Sequence, residues 1–356
     1  MSMQTRPADT YSPLYFLASV GAGGLAVTFF MYLMFWVPHP NAPVPVFEDI
    51  MAAWATGALP KQIAIVIAMA GIAVFAFLNI KGLIWNLSAF AKFSKTDGYT
   101  KLRQSNAEAT LLARPLALAM SVNAMFIVGL VFVPQLWSIV EYLFPAAMVA
   151  FVLIAVLALR EIGTYLGRIL SAGGAFDMTQ HNSFGQLLPA FALAMAGVGL
   201  AAPAAMSTNP TTVGVSLILS TFMATAAVIY AVIALITAMS SMLHHGTARE
   251  AAPTLMIVVP LMTILGILLM RQDHGLHTTF AGHSTAGDTL MFLARFLSVQ
   301  VLFLMLGLTV MKRQGYFKDF VFGTKTSPGS YALVCPGVAF QVLMFFFINK
   351  GLVAAN

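Results

Sequence analysis

One cysteine, seven histidines, 22 methionines and twelve carboxylates are the residues of this 356-residue chain whose types suit chemistry. Cys335 stands directly before Pro336 in the apolar stretch YALVCPGVAF (331–340), where it could be filler, a redox or metal ligand, or a pore residue. A single cysteine excludes an intrachain disulfide framework, a CxxCH haem attachment and a cysteine-bound iron–sulfur cluster. His39, His181, His244, His245, His274, His277 and His283 all fall between apolar runs. That speaks against a membrane cytochrome, whose haem needs axial ligands facing each other from within helices. The run HGLHTTFAGH has a spacing that could bind a metal, yet no carboxylate or cysteine completes a tetrahedral set, so a solvated loop and no metal centre are expected. The pairs MYLM (Met31, Met34) and MSSM (Met239, Met242) put thioethers on one helix face, either as soft ligands for Cu(I) or as adaptable packing. No Gly-rich nucleotide loop and no buried Ser, His and Asp set is visible, so neither enzyme activity nor a cofactor is expected.

The carboxylates are informative by position. Asp9, Glu48, Asp49, Asp97, Glu108, Glu141, Glu161, Asp177, Glu250, Asp273, Asp288 and Asp319 all lie in tails, loops or the ends of apolar runs. Cation-coupled transport needs an ionisable group along the path, whereas an anion path asks for its absence, with hydroxyls, amides and helix amino termini as donors. Ser19, Thr28, Ser121, Asn123, Thr263 and Gln341 are the polar residues placed to supply them, or to hydrogen-bond between packed helices.

The elements that must position these residues are membrane spans. Hydrophobic residues make up 60% of the chain and charged residues 8%, too apolar for a soluble core. Runs of the length needed to cross a bilayer lie near 13–37, 62–84, 113–134, 136–159, 185–206, 211–240, 253–270, 289–311 and 330–349, which predicts one all-α membrane domain, residues 1–356, with nine spans. The first run is about 25 residues long and lacks a small-residue cleavage site, so it reads as a span and not a signal peptide. The net charge of +6 reports topology, not nucleic-acid binding. Arg6, Lys92, Lys95, Lys101, Arg103, Arg114, Arg160, Arg168, Arg249, Lys312, Arg313, Lys318 and Lys325 fall on one side, against Lys61, Arg271 and Lys350 on the other. The positive-inside rule then places the amino-terminal tail (1–12) in the cytoplasm, and a bacterial inner (plasma) membrane is the expected location.

The spans alternate in character. Odd ones carry Gly or Pro: Gly21, Gly23 and Gly24, Pro115, Pro189 and Pro203, Pro253 and Pro260, Pro336. Even ones are smoother, with Pro145 the exception. Proline kinks are tolerated in membranes mainly beside other helices or a water-lined cavity, so helical hairpins with kinked odd helices inside are expected.

Two stretches carry a family resemblance. GGAFDMTQHNSFGQLLPAFALAMAG, with Gly173, Gly174, Phe176, Ser183, Phe184 and Pro189, resembles the lead into the fifth helix of the tellurite-resistance/dicarboxylate transporter family, which includes the slow anion channels of plant guard cells. YALVCPGVAF resembles its ninth-helix pattern through Tyr331, Ala332 and Pro336. Weaker echoes are Gly21 in LYFLASVGAGGLA, where Ser19 replaces a usual proline, and VVPLM around Pro260. The resemblance implies helical hairpins in quasi-fivefold arrangement around a largely uncharged pore, ten spans, commonly a homotrimer, and passage of small inorganic anions, oxyanions or organic acids. It also implies a phenylalanine gate on the ninth helix. Cys335 occupies that position, which leaves Phe16, Phe126, Phe191 or Phe340 to occlude the pore. An anion channel or transporter in the lipid bilayer is therefore the leading expectation, with a haem-free quinol-interacting subunit of a redox complex and a soft-metal (copper) transporter as the alternatives.

Overall fold

The computed structural model describes residues 10–171, 176–180 and 182–355; Arg6, Asp9, Gly173, Gly174 and His181 lie outside the described residues. Hydrocarbon offers the backbone no hydrogen-bond partner, so a chain this apolar closes its own i→i−4 ladders. Among the described residues nine helices are long and apolar enough to cross a membrane, and there is no strand: α1 (Pro13–Trp36), α2 (Leu59–Phe93), α3 (Asn106–Phe132), α4 (Leu136–Ser171), α5 (Phe184–Met206), α6 (Pro210–His245), α7 (Arg249–Thr279), α8 (Ala286–Arg313) and α9 (Pro328–Val353). Most outrun the apolar segments because an apolar run ends at the headgroups while the ladder continues. Arg160, Arg168, His244, His245, Arg271, His274, His277 and Lys350, read from sequence as loop residues, therefore stand on helices.

The odd spans share a construction. Each begins with a 3-10 segment, Pro13–Tyr15, Asn106–Leu112, Phe184–Leu187, Arg249–Met256 and Pro328–Leu333, before the α-helix proper. Four are capped alike: the hydroxyls of Ser12, Ser105, Ser183 and Ser327 accept from the amides of Leu14, Ala107, Gly185 and Gly329 at 3.1–3.3 Å. Pro115, Pro189, Pro260 and Pro336 then fall within the first three residues of the α-helical stretch. The expectation that Pro189, Pro260 and Pro336 kink their helices is corrected here. In a first turn proline's missing N–H is an orphan donor anyway, so these residues mark the junction from 3-10 to α without breaking a ladder. The real interruption is in α5, where Leu188–Leu200 stops and Ala202–Met206 resumes around Pro203.

The odd spans pack on one another in a closed ring: α1 on α3, α3 on α5, α5 on α7, α7 on α9, and α9 back on α1. Each even span lies over a joint of that ring, α2 on α1 and α3, α4 on α3 and α5, α6 on α5 and α7, α8 on α7 and α9. The central stretch of α5 is 94% buried and that of α8 only 22%, which separates the inner layer from the outer. The joint between α9 and α1 carries no outer span among the described residues, and α9 is correspondingly half as buried as α1.

Close approach of α1 and α9 depends on two glycines. A Cβ on Gly21 would stand 3.1 Å from Val334, and one on Gly24 would stand 3.0 Å from Val338. Gly24→Val should overpack this joint by about 1–3 kcal/mol. The check is a lowered unfolding midpoint of the purified protein, with a compensating gain when Val338→Ala is added.

Candidate functional site

The five odd spans enclose one large cavity of about 1530 Å³, to which every inner helix contributes wall residues. Its rim is built by the connections at the face opposite the N-terminus: His39 to Val44, Ser207 and Thr208, and Ser284 to Thr289. The wall runs inward along Val20, Gly21, Gly24, Met120, Phe191, Met195, Pro260 and Cys335 and stops there. None of the 3-10 lead-in segments lines it. Leu17, Leu112, Leu116, Leu187, Leu188 and Ile257, on the N-terminal half of the ring, are buried in one apolar cluster that also includes Cys335. The cavity is thus a well, open at one face and closed by aliphatic packing toward the other.

The residues singled out from sequence divide cleanly. On the wall are Cys335, Gly21, Pro260, Phe126, Phe191, Asn123 and Thr263. Off it, Phe16 is fully buried edge-on to Phe90 of α2, and Phe340 packs between α9 and α8 against Tyr316, Leu293 and Leu297. Pro189 is buried in the ring wall, and Pro336, the neighbour of Cys335, is buried without reaching the cavity. Ser19, Ser121 and Gln341 serve packing. The Ser19 hydroxyl donates to the Asn79 carbonyl at 2.8 Å, Ser121 donates to the carbonyl of Ala117, and the Gln341 amide donates to the Tyr32 hydroxyl at 2.8 Å. Thr28 is buried and off the wall as well. The two polar wall residues are largely spoken for: Asn123 donates to Ala119, and Thr263 donates to Ala339 at 2.8 Å and accepts from Gln300. Ser19, Thr263 and Gln341 tie helices together, as hydroxyls and amides do in hydrocarbon, Ser121 bonds within its own helix, and the deep wall is left apolar.

The group the sequence reading missed is a cation. Arg271 lies on the cavity wall, and its Nη1 donates to the carbonyl of Val198 at 2.7 Å. That carbonyl is in need of a donor because α5 breaks one turn later around Pro203; the neighbouring Leu200 carbonyl is likewise taken by the Ser216 hydroxyl of α6, which also accepts from the Ala204 amide at 2.9 Å. Among the described residues no carboxylate lies within ion-pair distance of Arg271. Asp273, Asp288, His274, His277 and Lys350 line the mouth beyond it. The signal was available: Pro260, Thr263, Ile267, Arg271, His274 and Thr278 recur every three or four residues, so one helical stripe continues past the apolar run.

At the N-terminal face a second set of charges closes on itself. Glu108 receives Arg103 at 3.0 Å and Arg168 at 2.9 Å, and Glu161 receives Arg103 at 2.7 Å and Arg114 at 2.9 Å. Glu108 is 2% exposed, so its charge is carried by those partners. The network ties the short helix Asp97–Arg103 and the lead-in of α3 to α4. A smaller clasp joins the start of α7 to the α8–α9 connection: Asp319 accepts from Arg249 at 2.9 Å and Lys325 at 2.7 Å. The Lys325 ammonium, with Arg249 beside it, holds the Asp319 carboxyl below its usual range.

No family model matches the chain, and no curated protein matches it.

Removing a buried carboxylate from between two guanidiniums leaves uncompensated charge, so Glu108→Ala should destabilise the fold by about 3 kcal/mol. Thermal unfolding checks it, and a change below about 0.5 kcal/mol overturns the assignment. Asp319 has a lowered folded pKa, so its clasp is complete above the ordinary carboxylate range near about 4 and is lost as pH falls through the lowered value. Limited proteolysis should accordingly open the α8–α9 connection on acidification, and in Asp319→Asn already at neutral pH.

Proposed function

We propose that the chain is an anion channel or transporter whose path runs through the central cavity. The observation that carries this reading is the guanidinium of Arg271, without a carboxylate partner among the described residues, on the wall of a cavity that all five inner spans enclose and whose depth is lined by no described carboxylate. An intramembrane cation is costly unless a partner or a function compensates it, and among the described residues the partner is a backbone carbonyl. The ring of inner spans and the outer spans over its joints support a quasi-fivefold arrangement and, with it, the resemblance to the tellurite-resistance/dicarboxylate transporter family. In a bacterial inner membrane the positive-inside count orients the well toward the outside, with its closed floor toward the cytoplasm. A homotrimer, one path per protomer, accords with the same resemblance.

The floor supports a gate with a thiol where the resemblance implies a phenylalanine, and with Phe191 on the same inner wall. Cys335 sits at the inner end of the wall, and the layer of leucines below it closes the path. A soft-metal path is the competing reading, favoured by Met31, Met34, Met120, Met195, Met206 and Met270 on the same wall. Arg271 and Lys350 weigh against it, since both repel a cation.

Flux into liposomes separates the two. Chloride, nitrate, sulfite, malate and tellurite gradients should drive flux in at least one case, and Cys335→Phe should lower that rate by tenfold or more by filling the inner end. No flux for any anion, together with stoichiometric copper in the purified protein, would overturn the anion reading. An unchanged rate in Cys335→Phe would remove Cys335 from the path.

A further inference from the structure

Resting on the reading of the cavity as an anion path, we infer that its ligand is an amphiphilic organic monoanion: a carboxylate head on Arg271, and an apolar body lying in the shaft between Arg271 and Cys335. Three observations on the wall lead there. The first is charge. Among the described residues Arg271 has one hydrogen bond, to the Val198 carbonyl, and a guanidinium carries five N–H donors in a planar fork suited to a carboxylate. One guanidinium at the head of the shaft matches one negative charge. The rim reinforces this, because Asp273 and Asp288 stand there with Lys350, and a multiply charged ligand would meet two carboxylates on the way in.

The second is the lining below Arg271. Arg271 is eight residues beyond Thr263, which bonds Ala339 of the neighbouring α9, and Cys335 is four residues below Ala339. At about 1.5 Å per residue these twelve residues make the shaft about 18 Å deep. Its wall is Val20, Val27, Met120, Phe191, Met195 and Ile267, while Asn123 and Thr263 have given their hydrogen bonds to the protein. A small inorganic ion in this shaft finds almost no donors on the wall, whereas an alkyl or aryl body buries apolar surface against it. The third is size. A cavity of about 1530 Å³ exceeds the range of roughly 300–1,000 Å³ that encloses a drug-sized molecule and is far larger than a small oxyanion needs. Methionine on several faces suits a body of variable shape, because thioether chains repack around it.

The test is saturable binding of radiolabelled decanoate to the protein in nanodiscs, with empty nanodiscs subtracted. Competition by butyrate, hexanoate and octanoate should strengthen about three- to fourfold per added methylene. Decanol, with the body and no charge, and chloride, with the charge and no body, should compete at least a hundredfold more weakly than decanoate. Arg271→Gln should weaken decanoate binding tenfold or more, and Arg271→Lys should recover part of it. Partition into lipid is the same for protein and variant, so their difference isolates the site. Equal competition by decanol, or no dependence on chain length, overturns the inference on the unmodified protein alone, whether or not Arg271→Gln folds. Liposome flux of small anions without decanoate binding leaves the anion path standing and removes this ligand class. Arg271-dependent decanoate binding without flux of any anion does the reverse.

Discussion

Backbone groups in hydrocarbon must find partners within the protein, and the place where α5 fails to provide its own shapes the rest of the site. Pro203 has no N–H and the helix stops at Leu200. Two carbonyls are then answered from neighbouring spans, Leu200 by the Ser216 hydroxyl and Val198 by Arg271. The second answer brings a full positive charge to the cavity wall. A backbone accounting problem in one helix thus becomes an electrostatic feature of the whole cavity.

The same accounting explains why the polar residues on inner spans offer the cavity so few free hydrogen-bonding groups. Ser19 with Asn79, Gln341 with Tyr32, and Thr263 with Gln300 and Ala339 are each joints between helices. Inner helices closing on one another, with most joints overlaid by an outer helix, have no hydrophobic drive between them. Small residues and interhelical hydrogen bonds replace it. Gly21 and Gly24 against Val334 and Val338 do so where α9 meets α1. Polarity in these spans is therefore mostly cohesion, and the cavity wall is what remains after cohesion has been served.

Much of this was legible in the sequence. Nine runs of adequate length correspond to the nine helices among the described residues that are long and apolar enough to cross a membrane, and Gly and Pro in odd runs marked the helices that form the inner layer. Cys335, Phe126, Phe191 and Pro260 were read as inner-helix residues and line the cavity. Helix ends were less readable, because hydropathy falls at the headgroups while hydrogen bonding does not, and Arg271 was lost to a loop for that reason. Which face a side chain takes was not readable where it depends on a partner far along the chain: Phe340 turns to α8, and Ser19 turns to Asn79, 60 residues away. The recurring serine before four of the five lead-in turns, at Ser12, Ser105, Ser183 and Ser327, was a repeat signal too short to stand out without the geometry.

Those lead-in turns have a mechanical meaning. A 3-10 turn rises about 2.0 Å and turns about 120° per residue, against about 1.5 Å and 100° in an α-helix. Arg249–Met256 comprises eight residues, so its two helical forms differ by about 4 Å in length and about 160° in twist. Each inner helix stands on such a segment at the closed end of the well, as a post stands on a screw thread. The floor is carried by five threads, and any change of pitch in them raises and rotates the leucines that seal it.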